Sequence, residues 1–379
     1  MIIGEFSDSY PPELDGVGAV VKNYVEEFSR LGDDCYYVAP ANAPSQGDQA
    51  FQTLLFKGIR MPGEPYRVGL PVLDRQFARR EQQVAFEIVH AHSPFSAGMS
   101  ALHLAKRRKI PIVATFHSKY YDDFYTKTHS DLLATLGTDW VVNFYDKCDE
   151  VWTVNEKTAE VLHQYGYKRE IRIMPNGVNA WMPSPQEREA ARHHWALSGK
   201  PLLLYVGQMN WKKNLGRILE ATALCARNYP CQLVMAGQGP DEQAIRRRAS
   251  ELGLDGRVLF TGHIVDRTLL MSLYACADVL VFPSRYDNAP MVVREAASAG
   301  TASILLHGSC AAEGVEDGVN GLLCEDTPES IAACIERGLA QGKSLGERAR
   351  ATIPVPWSEI VARARARYAE LIEQSQRNE

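Results

Sequence analysis

The chain has 379 residues, more than a single hydrophobic core usually supports, so we expect two domains. Its net charge of −5 argues against a nucleic-acid-binding protein, which normally carries a basic excess. Eight scattered cysteines without a CxxC pair, and no signal-peptide pattern, predict reduced thiols and a cytoplasmic protein. No apolar run reaches the roughly 20 residues of a membrane span, which leaves peripheral contact with the inner membrane face open.

Strand-like and helix-like runs alternate along the first half of the chain. In chain order the predicted strands are MIIGEF, CYYVAP, EIVHAH, PIVATFH and EVWTVN. The helices between or after them are VVKNYVEEFSRLG, AGMSALHLAKRRK and EKTAEVLHQYG. Alternation of this kind predicts a parallel, doubly wound sheet.

A candidate linker at 174–201, with an Asn-Gly turn, prolines and a polar helix, interrupts this pattern. A second series follows, with strands PLLLYVG, QLVMAG, RVLFTG, DVLVFPS and TASILL. We therefore predict an α/β protein in which two Rossmann-like parallel-sheet domains face each other across a cleft. The first domain comprises residues 1–180 and a returning C-terminal helix at 357–379, and the second comprises 197–356.

The stretch FPSRYDNAPMVVREAASAG, residues 282–300, carries two acids around the start of a helix. We expect Asn288 to cap a helix from about Pro290 to Ala299. The first-turn N–H groups of Met291 and Val292 would then form an anion site suited to a diphosphate. Asp287 would reach groups beyond the phosphates, and Glu295 would reach a ribose diol. The alternative is a capped surface helix with solvated acids.

Three further strand ends in the second domain lead through glycine into a helix: YVGQMNWKKN, AGQGPDEQ and FTGHIVDR. Lys213 lies at one helix entry, where an ammonium group can meet phosphate oxygens. In the first domain, Gly16 and Gly18 of PPELDGVGAVVKNY open a helix and let backbone amides approach an anion. A plain flexible turn is the alternative there, because a full GxGxxG is missing.

The histidines near strand ends are the other candidates. We expect His90 and His92 to point to opposite faces of their strand, which argues against a metal pair. His117, at the next strand end, is placed to hydrogen-bond a sugar hydroxyl, although a structural role is the alternative for each histidine. The four cations from Lys106 to Lys109 either complement a helix dipole or form a patch for anionic lipid. The YYDD run is expected to be an exposed loop near an acceptor.

Together these motifs resemble the retaining GT-B glycosyltransferases of family 4, which include phosphatidylinositol mannosyltransferases and diacylglycerol glucosyltransferases. The resemblance rests on DGVGAV, HAHSPFSAG, TFHSKY, PNGV, VGQMNWKKN, GQGP and PSRYDNAPMVVREAASAG and covers nearly the whole chain. It implies that Glu295 holds the nucleotide ribose, that Asp287 contacts hydroxyls of the donor sugar, and that Lys213 binds the diphosphate.

The resemblance also assigns further positions. It places His117 near the donor sugar, Gly16 under the diphosphate and Ile264 near the base. Gln208 stands where the family has an arginine, and Ala289-Pro290-Met291 replaces a Phe-Gly-Leu turn. The remaining donor-side positions implied are Asn288, Ala289, Met291 and Val292, and on the acceptor side we expect His92, Tyr120 and Tyr121.

The implied activity is transfer of a hexosyl group from a nucleotide-diphosphate sugar, first of all a UDP-sugar, to a lipid or polysaccharide-precursor hydroxyl. No carboxylate nucleophile stands out, so we expect a same-face route in which a donor phosphate oxygen takes the acceptor proton. No metal or other cofactor is expected. Two alternatives stay open: a nucleotide-sugar 2-epimerase of the same fold, and a non-catalytic sugar-nucleotide-binding partner subunit.

Overall fold

A computed structural model describes residues 1–10, 15–41, 51–60, 67–197 and 199–377. Contacts among these residues divide the chain into two units. The first comprises Met1–Gly177 and Trp357–Glu379, and the second comprises Val178–Pro356.

The first unit contains an eight-stranded sheet. Its strands are β1 (Ile2–Phe6), β2 (Asp34–Ala41), β3 (Gln52–Arg60), β4 (Arg67–Gly69), β5 (Ile88–Ala91), β6 (Ile112–Phe116), β7 (Glu150–Thr153) and β8 (Ile171–Ile173). Their spatial order is β4-β3-β2-β1-β5-β6-β7-β8. Neighbours pair in parallel, apart from the edge strand β4, which is antiparallel to β3. The central strands β5 and β6 are fully buried and mostly apolar, as expected for a parallel sheet covered on both faces.

The second unit contains a six-stranded sheet. Its strands are β9 (Leu202–Val206), β10 (Gln232–Ala236), β11 (Val258–Gly262), β12 (Val279–Val281), β13 (Ser303–Leu306) and β14 (Leu322–Cys324). The order is β11-β10-β9-β12-β13-β14, and every pair is parallel. The order reverses next to β9, so the carboxyl ends of β9 and β12 flank a topological switch point, where such sheets bind ligands.

Helices connect the strands in both units. They are α1 (Gly16–Arg30), α2 (Arg75–Gln83), α3 (Ser96–Arg108), α4 (Tyr120–Thr128), α5 (Asp131–Tyr145), α6 (Glu156–Gln164), α7 (Pro185–His194), α8 (Leu215–Cys225), α9 (Glu242–Glu251), α10 (Arg267–Cys276), α11 (Met291–Ser298), α12 (Pro328–Thr352) and α13 (Trp357–Arg377). The prediction of doubly wound parallel sheets is confirmed. Of the helices in the described ranges, none combines the length and apolarity needed to cross a bilayer.

The prediction of an exposed loop at YYDD is wrong, because these residues begin α4. Two acids in its first turn complement the helix dipole. Aromatic rings four residues apart then stack along the helix, Tyr120 on Phe124 and Tyr121 on Tyr125, a spacing that stabilises a helix.

All eight cysteines lie within the described ranges, and each is buried as a free thiol. Burial raises the pKa of Cys225 and of Cys324 to about 12. These thiols therefore pack as small apolar side chains and are not poised nucleophiles.

Candidate active site

The carboxyl ends of β9, β10 and β11 are bound to one another through their glycines. The N–H of Gly207 donates to the carbonyl of Ala236 at 3.0 Å, and the N–H of Gly237 donates to that of Gly262 at 2.9 Å. Gly237 has φ +133°, and a Cβ added there would lie 1.9 Å from the carbonyl oxygen of Gly207. Only glycine permits this approach, which draws the three strand–glycine junctions together at one edge of the sheet.

Two of the predicted site residues meet beside that edge. The Lys213 ammonium lies 2.5 Å from Asp287 Oδ1, although the two residues are 74 positions apart in the chain. The hydroxyl of Ser284 donates to the other carboxylate oxygen of Asp287 at 2.6 Å. Both charged side chains are largely buried, with 14% and 18% of their surface exposed. The pair therefore has fixed geometry and reduced solvent screening.

Asn214 holds the Lys213 loop against the loop that carries Asp287. Its backbone is left-handed, with φ 63°, a conformation that asparagine adopts more readily than most residues. Its side-chain amide donates to the carbonyl of Pro283 at 3.0 Å and to Asp326 at 2.7 Å. Asp326 also forms an ion pair with Arg285. Asn214 and Asp326 were not predicted as site residues, and for Asn214 the only local signal is its place between two lysines and the start of α8.

Glu295 lies inside α11 and is buried. One carboxylate oxygen accepts from Arg267 at 2.7 Å, and the other accepts from the Tyr274 hydroxyl at 3.0 Å. Burial and the nearby Glu295 charge hold the pKa of Tyr274 well above its ordinary value, so this phenol stays a donor. Arg267 and Tyr274 were not foreseen, because both lie on α10, more than 20 residues before Glu295 in the chain.

The start of α11 differs from the prediction in one respect. The helix begins at Met291 with Pro290 as its N-cap, and no side-chain hydrogen bond caps it. The expected cap by Asn288 is therefore wrong. Asn288 is buried two positions before the N-cap. Ala289, Met291 and Val292 are half-buried around this entry.

Gln208 and Ile264 lie at the ends of β9 and β11. The side chain of Gln208 is exposed, and its backbone carbonyl accepts from the Tyr205 hydroxyl at 2.9 Å. Ile264 is half-buried and packs against the core of the second unit. Their predicted contacts with phosphate and base stay predictions.

In the first unit, Gly16 is the first residue of α1. The carboxylate of Asp15 caps this helix by accepting from the Gly18 N–H at 2.8 Å. A Cβ added at Gly16 would meet no atom of the described residues within 4 Å. Residues 11–14 of the same motif lie outside the described part of the chain.

The expectation that His90 and His92 point to opposite faces is wrong. Side chains two residues apart in a strand share a face, and the two ring centroids lie 4.0 Å apart. Both rings are fully buried beside Glu5. His92 Nε2 lies 2.7 Å from Glu5 Oε2, and His92 Nδ1 lies 3.1 Å from Nε2 of His117. His117 itself is half-buried at the end of β6.

Among the described residues, Glu5, His90 and His92 form a group with metal-ligand side chains. The 2.7 Å separation between the carboxylate oxygen and His92 is that of a direct hydrogen bond. Two ligands of one Zn²⁺ at about 2.0–2.1 Å and near-tetrahedral angles would lie farther apart. The geometry therefore describes a hydrogen-bonded cluster, and the expectation of no metal stays a prediction.

The two tyrosines predicted on the acceptor side occupy different environments. Tyr120 is buried, and its ring packs edge-on against Phe95 and Phe116. The hydroxyl of Tyr121, by contrast, donates to Asp131 at 2.8 Å on the surface. The structure therefore gives Tyr120 a core position and leaves Tyr121 near the surface.

The basic run at the end of α3 is largely engaged within the first unit. Arg107 forms an ion pair with Glu81, and Arg108 bonds both that carboxylate and the nearby backbone carbonyls. Lys109 ends the helix in a left-handed conformation. These contacts within the first unit favour a structural role for this part of the run over a patch that binds anionic lipid.

Comparison with known proteins finds a matching family model in each half of the chain. Residues 14–181 match the family model described as Glycosyltransferase Family 4, and residues 187–352 match that described as Glycosyl transferases group 1. An alpha-monoglucosyldiacylglycerol synthase of Streptococcus pneumoniae is 25% identical over 82% of this chain and 71% of its own length. A GDP-mannose-dependent alpha-mannosyltransferase of Corynebacterium glutamicum is 25% identical over 100% and 91%.

Solved structures show the same fold. The Anabaena protein HepE in complex with UDP and glucose aligns with a TM-score of 0.78 and 17% identity, covering 97% of this chain and 99% of that one. A sucrose-phosphate synthase from Thermosynechococcus elongatus aligns with a TM-score of 0.80 and 18% identity, covering 99% and 100%. The fold class is therefore GT-B.

Proposed function

Because this chain belongs to the glycosyltransferases, with a family 4 domain followed by a group 1 domain, we propose that it is a retaining hexosyltransferase. The donor is a nucleotide-diphosphate sugar, and the acceptor is a hydroxyl of a lipid or polysaccharide precursor. The observation that carries the proposal is the 2.5 Å contact between Lys213 and Asp287 at the switch point of the second sheet. It joins the implied phosphate-binding cation to the implied sugar-binding acid.

In this proposal the leaving nucleotide phosphate is stabilised electrostatically. Lys213 supplies a positive charge, and the uncapped N-terminus of α11 supplies a second favourable field. Glu295, oriented by Arg267 and Tyr274, accepts hydrogen bonds from the ribose. Asp287 holds the donor sugar, and a donor phosphate oxygen takes the proton of the acceptor on the same face. We propose no resident metal, and unchanged turnover with a chelator present is the expected result.

A transfer screen tests the activity. UDP-, GDP- and ADP-sugars are each offered with diacylglycerol vesicles and with glycan acceptors, and the anomeric configuration of the product is read by NMR. We start with UDP-glucose and GDP-mannose, since one neighbour was solved with UDP and glucose and one relative is named for GDP-mannose. Product with an inverted configuration contradicts the retaining mechanism.

The same screen separates the two rivals. Conversion of the donor sugar without any acceptor would favour the epimerase alternative. Donor binding with no transfer to any acceptor would favour the non-catalytic subunit. Glu295→Gln is the matched site variant, because it keeps the shape of the side chain and removes its charge.

An exposed apolar face on the first unit supports a lipid acceptor. Leu132, Leu133, Leu136 and Trp140 of α5 are 69%, 51%, 56% and 42% exposed, and the Trp140 ring stacks on Phe95. A contiguous apolar surface of this kind marks an interaction site. We therefore propose that α5 touches the membrane that holds the acceptor. The fraction of protein that sediments with vesicles should be lower for Leu132→Asp than for wild type, and equal fractions would contradict this contact.

A further inference from the structure

Four elements of the first unit bring polar side chains into one buried cluster. Glu5 lies on β1, His92 directly follows β5, His117 follows β6, and Tyr368 belongs to α13. Glu5, His92 and Tyr368 have at most 1% of their surface exposed. Buried polar groups are stable only when hydrogen-bonded, so the direction of each bond in the cluster is constrained.

The chain of bonds from Glu5 outward has one proton arrangement. A carboxylate only accepts, so His92 Nε2, 2.7 Å from Glu5 Oε2, carries a proton and donates it. A neutral imidazole has one donor and one acceptor nitrogen, so His92 Nδ1 accepts. His117 Nε2, 3.1 Å from that Nδ1, is then the donor. The two rings are inclined by only 20° with centroids 5.4 Å apart, which suits an in-plane N–H···N bond.

The protonation states agree with this assignment. Burial opposes ionisation of Glu5, but its interactions with His90 and His92 lower its pKa to about 2, so it is a carboxylate. Burial lowers the pKa of His92 to about 4, against the effect of Glu5. Burial and the neighbouring histidines likewise hold the pKa of His117 well below its ordinary value. Both imidazoles are therefore neutral near physiological pH.

A second set of bonds fixes the carboxylate end of the cluster. The Tyr368 hydroxyl donates to Glu5 Oε1 at 3.1 Å and lies 2.5 Å from His90 Nδ1. His90 Nε2 in turn lies 2.7 Å from the Thr115 hydroxyl. The Glu5 carboxylate is thereby held at Oε1 by Tyr368, and His90 Nδ1 lies 3.3 Å from Oε2, so its orientation does not depend on His117.

We propose that Glu5 and His92 are positioning residues that hold His117 as its Nε2–H tautomer, so that Nδ1 of His117 acts as a hydrogen-bond acceptor toward a substrate hydroxyl. The tautomer follows from the cluster itself, and its use by a substrate rests on the proposed function. A fixed acceptor at this position selects a ligand that presents an O–H group, such as a sugar or lipid hydroxyl. It disfavours a carbonyl or phosphate oxygen, which offers no proton.

The decisive measurement uses the wild-type protein without ligand. In protein labelled with ¹⁵N-histidine, NMR should show a trans-hydrogen-bond ¹⁵N–¹⁵N coupling between His92 Nδ1 and His117 Nε2, with the proton on His117. A proton on His117 Nδ1, a proton on His92 Nδ1, or a doubly protonated His117 overturns the assignment. Because this readout needs no activity, it is independent of whether the proposed transfer reaction is found.

Two variants then test the positioning role. His92→Phe removes the acceptor of the His117 proton, whereas Tyr368→Phe removes a bond to the other Glu5 oxygen and serves as the matched control. We expect the coupling to vanish in the first and to remain in the second. Turnover should fall about tenfold or more in His92→Phe, the size of effect seen when a hydrogen bond that orients a metal-ligating histidine is removed, with nucleotide affinity unchanged by calorimetry. An equal loss of turnover in both variants would overturn the positioning role.

Discussion

At the residue scale, substitutions of Lys213 and of Asp287 should change the affinity for a nucleotide diphosphate in different directions. In the free protein the ammonium group is bonded to Asp287, and the proposed function gives it to the donor diphosphate. Lys213→Met should weaken binding of a nucleotide diphosphate by about tenfold or more, the loss of a charge-assisted hydrogen bond. Asp287→Asn removes the ion-pair partner of the Lys213 ammonium. The affinity for a nucleotide diphosphate should therefore stay equal or rise, while sugar transfer falls.

Calorimetry with UDP and GDP measures both affinities. Lys212→Met is the matched control, because it removes a neighbouring ammonium that lies 5.2 Å from the centre of the Tyr286 ring, against 5.0 Å for that of Lys213. Nucleotide binding weakened tenfold in Asp287→Asn would contradict the exchange of partners.

The same scale shows where the sequence was informative. The motifs and their order predicted Lys213, Asp287 and Glu295 as site residues, and the structure brings the first two into contact. Arg267 and Tyr274 were not predicted, because no local sequence pattern connects residues of α10 with Glu295. The prediction that His90 and His92 point to opposite faces was wrong, because side chains two residues apart in a strand lie on the same face.

At the element scale, the attachment of α13 depends on Glu150 at the start of β7. Its carboxylate accepts from Arg367 of α13 at 2.5 Å, from Trp152 at 2.7 Å and from Arg172 at 2.6 Å. Burial opposes ionisation, but these bonds hold the pKa of Glu150 below its ordinary value. Its stabilising effect is therefore complete above the carboxyl pKa of the unfolded chain and is lost as pH falls through the folded pKa.

Glu150→Gln should lower the free energy of unfolding by about 1–3 kcal/mol near neutral pH. The difference from wild type should shrink as the solution is acidified. Urea unfolding across a pH series measures it. Glu370→Gln is the control, since Glu370 also pairs with Arg367 but is 59% exposed, and exposed pairs contribute about 0–1 kcal/mol. A difference that grows toward low pH would refute the assignment.

Elements with strong periodicity were predictable, and those held by neighbours were not. Strands such as β5, β6 and β9 are short, mostly apolar runs, so the sequence indicated them directly. Strand β3, the edge strand β4 and the polar helix α2 were missed, because their stability comes from packing on the sheet and from caps such as Asp74, which accepts from two N–H groups of α2. For α4 the aromatic and acidic residues obscured a helical repeat.

At the scale of the whole molecule, the first unit is discontinuous in sequence. Helix α13 lies after the second unit in the chain, yet it supplies the large buried side chains Trp357, Ile360, Val361, Tyr368 and Leu371 to the first. Burial of each large apolar side chain stabilises by about 1.5–3 kcal/mol. The net stability of a typical domain is only about 5–15 kcal/mol, so the loss of several such side chains is a large change. The alternation of strands and helices predicted two sheets. For the packing of α13 on the first unit, the sequence offered only the helical spacing of its apolar residues.

A chain that ends at Pro356 should therefore lose the fold of its first unit and keep that of its second. Hydrogen exchange should become fast in β1, β5 and β6, because Tyr368 no longer satisfies Glu5 and the face of α1 that α13 covers is exposed to water. Exchange in β9 and β12 should stay slow, and UDP or GDP should still protect the segment around Lys213 and Glu295, since every described contact of that site lies within Val178–Pro356. Slow exchange in β1 and β5 of the shortened chain would show that α13 is dispensable. Loss of nucleotide protection around Lys213 would instead show that the donor site needs the first unit.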